Sequence, residues 1–147
     1  MPEQPLTTSD SQALEKQAAH RWPLRVYIED TDAGGIVFYA NYLKYMERAR
    51  TEWLRALGFN KPAMPAEQRL LIVASISVNY SRSAVLDDEL IVETGILKLA
   101  RSYIDLEQVV YRNGEQICTA NVRLACVDSQ SLRPKALPEA LSQVLNA

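Results

Sequence analysis

The segment from Asp30 to Arg50, DTDAGGIVFYANYLKYMERAR, is where this sequence can do chemistry. Two carboxylates, Asp30 and Asp32, and a Gly34-Gly35 pair stand directly before a strongly amphipathic run. A helix start presents free backbone N–H groups and a partial positive charge, which together can polarise a carbonyl. A carboxylate beside it offers a base or a nucleophile. The two glycines let the loop turn sharply and let a substrate approach the backbone. The plainer alternative is that both aspartates cap turns or the helix, the commonest work of Asp before a helix. Glu47 is the runner-up carboxylate. Its place on the flank of the apolar stripe allows a base, but an ion pair with Arg50 or another arginine is the favoured reading.

The remaining reactive side chains are few. His20 is the only histidine, so Ser/His/Asp and Cys/His catalytic sets are excluded unless His20 serves. Cys118 and Cys126 lie an even number of positions apart in one β-patterned run, so they share a face but are too distant to bridge. They read as free, buried thiols of a reducing compartment, with no metal-ligand spacing around them. A net charge of −2, from 16 basic and 18 acidic residues, argues against nucleic acid bound through a broad electrostatic footprint. An anionic ligand must therefore be held by a few local Lys or Arg residues. No apolar run approaches the length of a membrane span, and the first 21 residues lack the features of a secretory signal. The expectation is a soluble, cytoplasmic protein.

The elements that must position the motif follow from periodicity. Residues 1–21 read as a polar tail, with Ser9 or Asp10 able to cap a short helix through Gln17, and residues 22–147 as a single domain. Leu24 to Glu29 alternates apolar and polar residues and predicts a half-buried strand. Tyr39, Tyr42, Leu43, Met46, Ala49, Trp53, Leu54 and Leu57 recur at spacings of three and four, a helical stripe of about five turns. Gly58 stands where a C-terminal cap belongs, and Arg48 and Glu52 are spaced as an i,i+4 pair. Tyr42, Tyr45 and Trp53 suit the core, with an acyl pocket as the alternative.

Pro62 and Pro65 mark a loop, and four β-patterned runs follow. In the first, Ile72, Ala74, Ile76, Val78 and Tyr80 share a face; the second is Leu90 to Leu99, with Gly95 suggesting a bulge or a close backbone approach. The third, Tyr103 to Arg112, meets the fourth, Glu115 to Val127, across the hairpin signal Asn113-Gly114. Leu137 to Leu145 can form a short terminal helix. One strand, a long helix and four consecutive strands indicate an α+β fold with an antiparallel sheet packed on the helix. Five strands cannot fully enclose so apolar a helix, and sheet edges need covering, so oligomerisation is expected.

The stretch Val26 to Gly58 closely resembles the 4-hydroxybenzoyl-CoA thioesterase group of hotdog-fold proteins, most of all the branch associated with the Tol-Pal gene cluster. Its most specific part is EDTDAGGIVFYANYLKYMERAR, with NYSRSAVLDDEL and RPKALPEAL in support. The resemblance implies a hotdog fold, a five-stranded antiparallel sheet wrapped around one long central helix, assembled as dimers joined along a sheet edge or as tetramers. It implies hydrolysis of acyl-CoA thioesters without metal or organic cofactor. The family's catalytic aspartate matches Asp32, and its oxyanion donor matches the backbone N–H of Tyr39, with Gly35 and Phe38 beside the reacting group. Asp30 is assigned a structural role. Several members of the Tol-Pal-associated branch carry histidine where this chain has Tyr39, so histidine assistance is excluded at that position.

Because coenzyme A carries phosphate charges, Arg82 and Arg101 become candidate substrate contacts, with Lys98, Arg133 and Lys135 weaker ones. An acyl carrier protein is a further possible partner. Three rivals stand beside this reading: a hotdog dehydratase, which the lone His20 disfavours; a non-catalytic acyl-CoA or acyl carrier protein binding module; and a purely structural oligomer.

Overall fold

Hydrogen-bonded neighbours in the sheet are mostly neighbours in sequence, as short β-loops dictate. In a computed structural model, residues 20–59, 63–64 and 67–146 are described. Strand β1 (His20–Arg25) leads to a one-turn 3-10 helix (Ile28–Asp30) and then to helix α1 (Asn41–Ala56). Strands β2 (Ala63–Met64), β3 (Arg69–Tyr80), β4 (Glu89–Leu99), β5 (Tyr103–Arg112) and β6 (Glu115–Asp128) follow, with helix α2 (Glu139–Asn146) last. The strands lie in the order β1-β4-β5-β6-β3-β2, every pair antiparallel. Five strands carry the sheet, and the two-residue β2 touches only the start of β3. The expected α+β architecture, an antiparallel sheet around one main helix, is the one observed.

Short-range chemistry explains the joints. Asn113 and Gly114 both have positive φ, 51° and 80°, which makes the β5–β6 connection the two-residue turn whose twist matches the strands. Helix α1 ends in a Schellman motif: the Phe59 N–H donates to Leu54 O at 2.9 Å and the Gly58 N–H to Arg55 O at 3.0 Å. Gly58 itself sits at φ 97°. Gly58→Ala should therefore destabilise the chain by about 1 kcal/mol in chemical denaturation, because a side chain strains this conformation.

Tyr42, Tyr45, Met46, Ala49, Trp53 and Leu54 of α1 are buried against Leu90, Val92, Ile104, Leu106 and Val122 of the sheet. Tyr42, Tyr45 and Trp53 are thus core residues rather than walls of an open pocket. Cys118 and Cys126 are free and buried, as the pattern suggests. Burial pushes the Cys118 thiol from 9.0 up to about 12. Stability should therefore fall as pH rises from 9 toward 12, where the unfolded chain releases the Cys118 proton and the folded chain keeps it. Native protein should leave Cys118 unmodified by iodoacetamide at mildly alkaline pH, and denatured protein should not.

Several expectations are corrected. The first strand is His20–Arg25, not Leu24–Glu29. Its partner β4 begins at Glu89, opposite Arg25, so the ladder runs out there. The Asp30 carboxylate then accepts the Tyr27 N–H at 2.9 Å and curls the chain into the 3-10 turn. His20 and Arg21 accordingly belong to β1, and the rest of the expected tail, with its Ser9 or Asp10 cap, lies outside the described residues, as do Pro62 and Pro65. Glu52 pairs with Arg55 at 2.6 Å, and no ion pair joins it to Arg48. The bulge in β4 falls between Ile96 and Lys98 and throws Leu97 outward, while Gly95 pairs regularly with Glu107.

The correction with most consequence is in β3. Ala74 has no partner on β6, whose register steps from Val73–Leu124 to Ser75–Arg123. One extra residue reverses the alternation. Leu71 and Val73 therefore share the inner face with Ile76, Val78 and Tyr80, and Ile72 points the other way. Helix α1 lies toward β1 and β4, so Val73, Ile76 and Tyr80 remain substantially exposed although they face inward.

Candidate active site

A short hairpin holds the motif. Thr31 pairs with Val37 and Ile36 with Val85 in single bridges. Between them the Asp32 N–H donates to Ile36 O and the Gly35 N–H to Asp32 O, both at 2.9 Å. Gly35 takes φ 82°, which the tight return requires. The Asp32 carboxylate accepts the Gly34 N–H at 2.8 Å through Oδ1. A Cβ on Gly34 would stand 3.2 Å from that oxygen, so the glycine keeps the carboxylate's place clear. Asp32 is exposed, as is the turn around it.

Asp30 is committed to structure. Its carboxylate holds the Tyr27 N–H, while its carbonyl accepts the Phe38 N–H at 2.9 Å and the Asn41 Nδ2–H at 2.8 Å. Those bonds dock the hairpin on the start of α1. The Tyr45 hydroxyl, buried without a hydrogen-bond partner among the described residues, feels burial first and the Asp30 charge second, and both raise its pKa.

The mouth of α1 is open. The Phe38 N–H is spent on Asp30, so it is not available to a ligand, but Tyr39 and Ala40 donate their N–H groups to no acceptor among the described residues. Ala40, the N-cap, has no side chain that can satisfy a helix-start amide. Two orphan donors at a helix start form a ready site for negative charge on oxygen. The Tyr39 side chain is 63% exposed. Its ring meets Phe38 at 4.9 Å and Tyr80 at 6.1 Å, and Tyr80 in turn meets Tyr42 at 5.6 Å. The Tyr80 hydroxyl donates to Tyr39 O at 3.2 Å, and the Tyr42 hydroxyl accepts the Ala84 N–H at 2.9 Å. The aromatic cluster thus fixes the peptide that carries the free amides.

Tyr80 thus stands in the candidate site, where the residue pattern alone assigns it no role. Its signal in the sequence is the apolar face it shares with Ile76 and Val78 at the end of β3. Asp32, Gly35, Phe38, Tyr39 and Arg82 lie at one end of the fold: the Arg82 N–H bonds to Ile117 O beside the Tyr80–Cys118 pair. The Arg82 side chain pairs with Glu115 at 2.6 Å. Arg101 is in the β4–β5 turn at the opposite end, about 30 Å away along the strands. Lys98 lies over the Tyr103 ring on that same distal side, Lys135 pairs with Asp128 at 3.4 Å, and Arg133 is exposed. Glu47 is exposed on the flank of α1 and forms no ion pair with Arg50. Among the described residues, no group of three or more His, Cys, Asp or Glu could hold a metal ion, and no helix is long and apolar enough to cross a membrane.

Comparison with known proteins gives the family. The thioesterase-like superfamily matches residues 26–145. The acyl-CoA thioesterase YbgC of Haemophilus influenzae is 44% identical over 119 residues, 80% of this chain and 88% of that protein. The acyl-CoA thioester hydrolase YbgC of Escherichia coli O157:H7 is 40% identical over 122 residues, 82% of this chain and 91% of that protein. The crystal structure of AQ1494 from Aquifex aeolicus has a TM-score of 0.79 at 26% identity, over 85% of this chain and 98% of that one. The chain belongs to the thioesterase-like superfamily, with its hotdog fold.

Proposed function

We propose that this protein is an acyl-CoA thioesterase in which Asp32 is the base or nucleophile and the Tyr39 N–H, with the Ala40 N–H beside it, binds the oxyanion. The observation that carries the reading is the pair of unclaimed amides at the mouth of α1, with the Asp32 carboxylate in the adjoining hairpin. A thioester carbonyl is already electrophilic, so its hydrolysis needs a positioned attacking group and a place for the developing negative charge. In one route Asp32 takes a proton from water as its oxygen attacks the carbonyl carbon. In the other, Asp32 attacks directly and water then cleaves the mixed anhydride. Either way the carbonyl oxygen gains charge facing the amides, the C–S bond breaks, and coenzyme A leaves as the thiol. Removing one such donor from an acyl-transfer site typically lowers turnover by about 10²-fold to 10³-fold. The names of the Haemophilus and Escherichia relatives support the same activity.

The active unit is a cytoplasmic homodimer or tetramer, working within the Tol-Pal-associated branch on an acyl group carried by coenzyme A or acyl carrier protein. Beyond its first residues β3 has no strand on its outer edge among the described residues, and a second copy pairing there would cover that edge. The sites lie between subunits, with Gly35, Phe38 and Arg82 of one protomer serving the substrate. Arg101 reaches bound coenzyme A only if another copy brings its distal end to this mouth.

The test is release of free thiol from short, long and aromatic acyl-CoAs by the intact chain, with light scattering for its mass. Turnover of at least one class is expected from an oligomer. Tight acyl-CoA binding without thiol release across the panel would favour the binding-module reading instead. A Tyr80→Phe variant, which frees the Tyr39 carbonyl, should reduce kcat by about 10-fold or less and leave thermal stability within about 1 kcal/mol of wild type.

A further inference from the structure

Away from the helix mouth, one charged side chain is buried with most of its donors unspent. Arg50, only 8% exposed, lines a cavity of about 290 Å³ between the flank of α1 and the inner face of β3, with Glu47, Thr51, Leu54, Leu71, Val73 and Leu124. Its Nη1–H donates to Gln108 Oε1 at 3.0 Å, and the Gln108 amide is itself spent on Met46 O and Thr94 Oγ1, each at 3.0 Å. That network fixes the guanidinium in place. Arg50 forms no ion pair among the described residues. A guanidinium has five N–H donors in a planar fork that matches a carboxylate bidentately, and among the described residues one of them has a protein acceptor.

From this cavity the inner face of β3, with Val73, Ile76 and Tyr80 exposed, runs toward the helix mouth. Tyr80 meets Tyr39 at one end of that face, Val78 and Ile76 continue it, and Val73 lines the Arg50 cavity at the other. The strip is apolar and runs roughly 20 Å. We infer that this trough takes the acyl chain and that Arg50 binds a carboxylate at its far end, so that the favoured substrates are thioesters of ω-carboxylated, dicarboxylic acids. The inference rests on the thioesterase reading above. Glu47 at the rim does not oppose it strongly, because its carboxylate is in solvent, where screening is effective, whereas Arg50 acts from a buried position.

The test compares thiol release from dodecanoyl-CoA and from its ω-carboxyl counterpart by the full chain, in wild type, Arg50→Met and Arg50→Lys. Calorimetric titration with dodecanoic and dodecanedioic acids accompanies it. Wild type should show kcat/KM at least 10-fold higher for the ω-carboxyl thioester, through a lower KM. Arg50→Met should erase that ratio, and Arg50→Lys should keep part of it. Equal kcat/KM for the two thioesters in wild type, or a ratio unchanged in Arg50→Met, would overturn the inference while leaving the thioesterase reading intact. If neither thioester is hydrolysed, the titrations decide the Arg50 site: tighter binding of the diacid supports it and equal binding refutes it, while the thioesterase reading is decided by the wider acyl-CoA panel.

Discussion

Gln108→Leu is expected to destabilise the folded chain by about 3 kcal/mol. Gln108 is fully buried on the inner face of β5, between Leu106 and Val110, and it is the only protein acceptor that Arg50 has among the described residues. Leucine matches the volume but leaves a buried guanidinium uncompensated, and it also abandons Met46 O and Thr94 Oγ1. Burial already presses the Arg50 pKa downward, with the Glu47 charge opposing. The double variant Arg50→Met, Gln108→Leu removes the charge with its acceptor and should recover most of the loss, because an apolar pair replaces a polar one. Urea denaturation of wild type, both single variants and the double variant checks this. A loss below about 0.5 kcal/mol for Gln108→Leu would show that the network does not hold Arg50.

Local chemistry made much of this fold legible in the sequence. Asn113-Gly114 and Gly58 demand specific backbone conformations, so they mark a hairpin and a helix end wherever they fall between patterned runs. The stripe from Tyr42 to Leu54 needs only a 3.6-residue period to be recognised. The misreadings arise where an alternating pattern continues past the point at which the partner strand ends, as at Val26 to Glu29, or where one inserted residue reverses it, as at Ala74. Neither event leaves a local mark, since each depends on the strand opposite. The same limit applies to the site. Asp32 and Tyr39 lie in one contiguous motif and can be found from it, whereas Tyr80 and Gln108 reach their partners over 41 and 62 residues of chain. Arg101, chosen for its charge beside a turn, lies at the distal end because residues in a β4–β5 turn cannot share an end with the β5–β6 turn.

Asp32 is where the account is most exposed, since a turn aspartate and a catalytic aspartate occupy the same place. Asp32→Asn separates the two roles. Asparagine keeps an Oδ1 that can accept the Gly34 N–H, so the hairpin, Gly35 and the free amides of Tyr39 and Ala40 should stay in place. It loses the charge needed to take a proton or to attack a thioester. The expected stability change is under about 0.5 kcal/mol. The expected loss of kcat is at least about 10²-fold, with little change in KM, because general-base catalysis contributes on that order and the carboxylate is not needed to bind coenzyme A. The decisive measurement is steady-state thiol release from the best acyl-CoA by wild type and Asp32→Asn, both confirmed as folded. A fall of about 10²-fold or more in kcat is the predicted result. Turnover by Asp32→Asn within about 3-fold of wild type would mean that Asp32 only caps its turn, and would contradict the account.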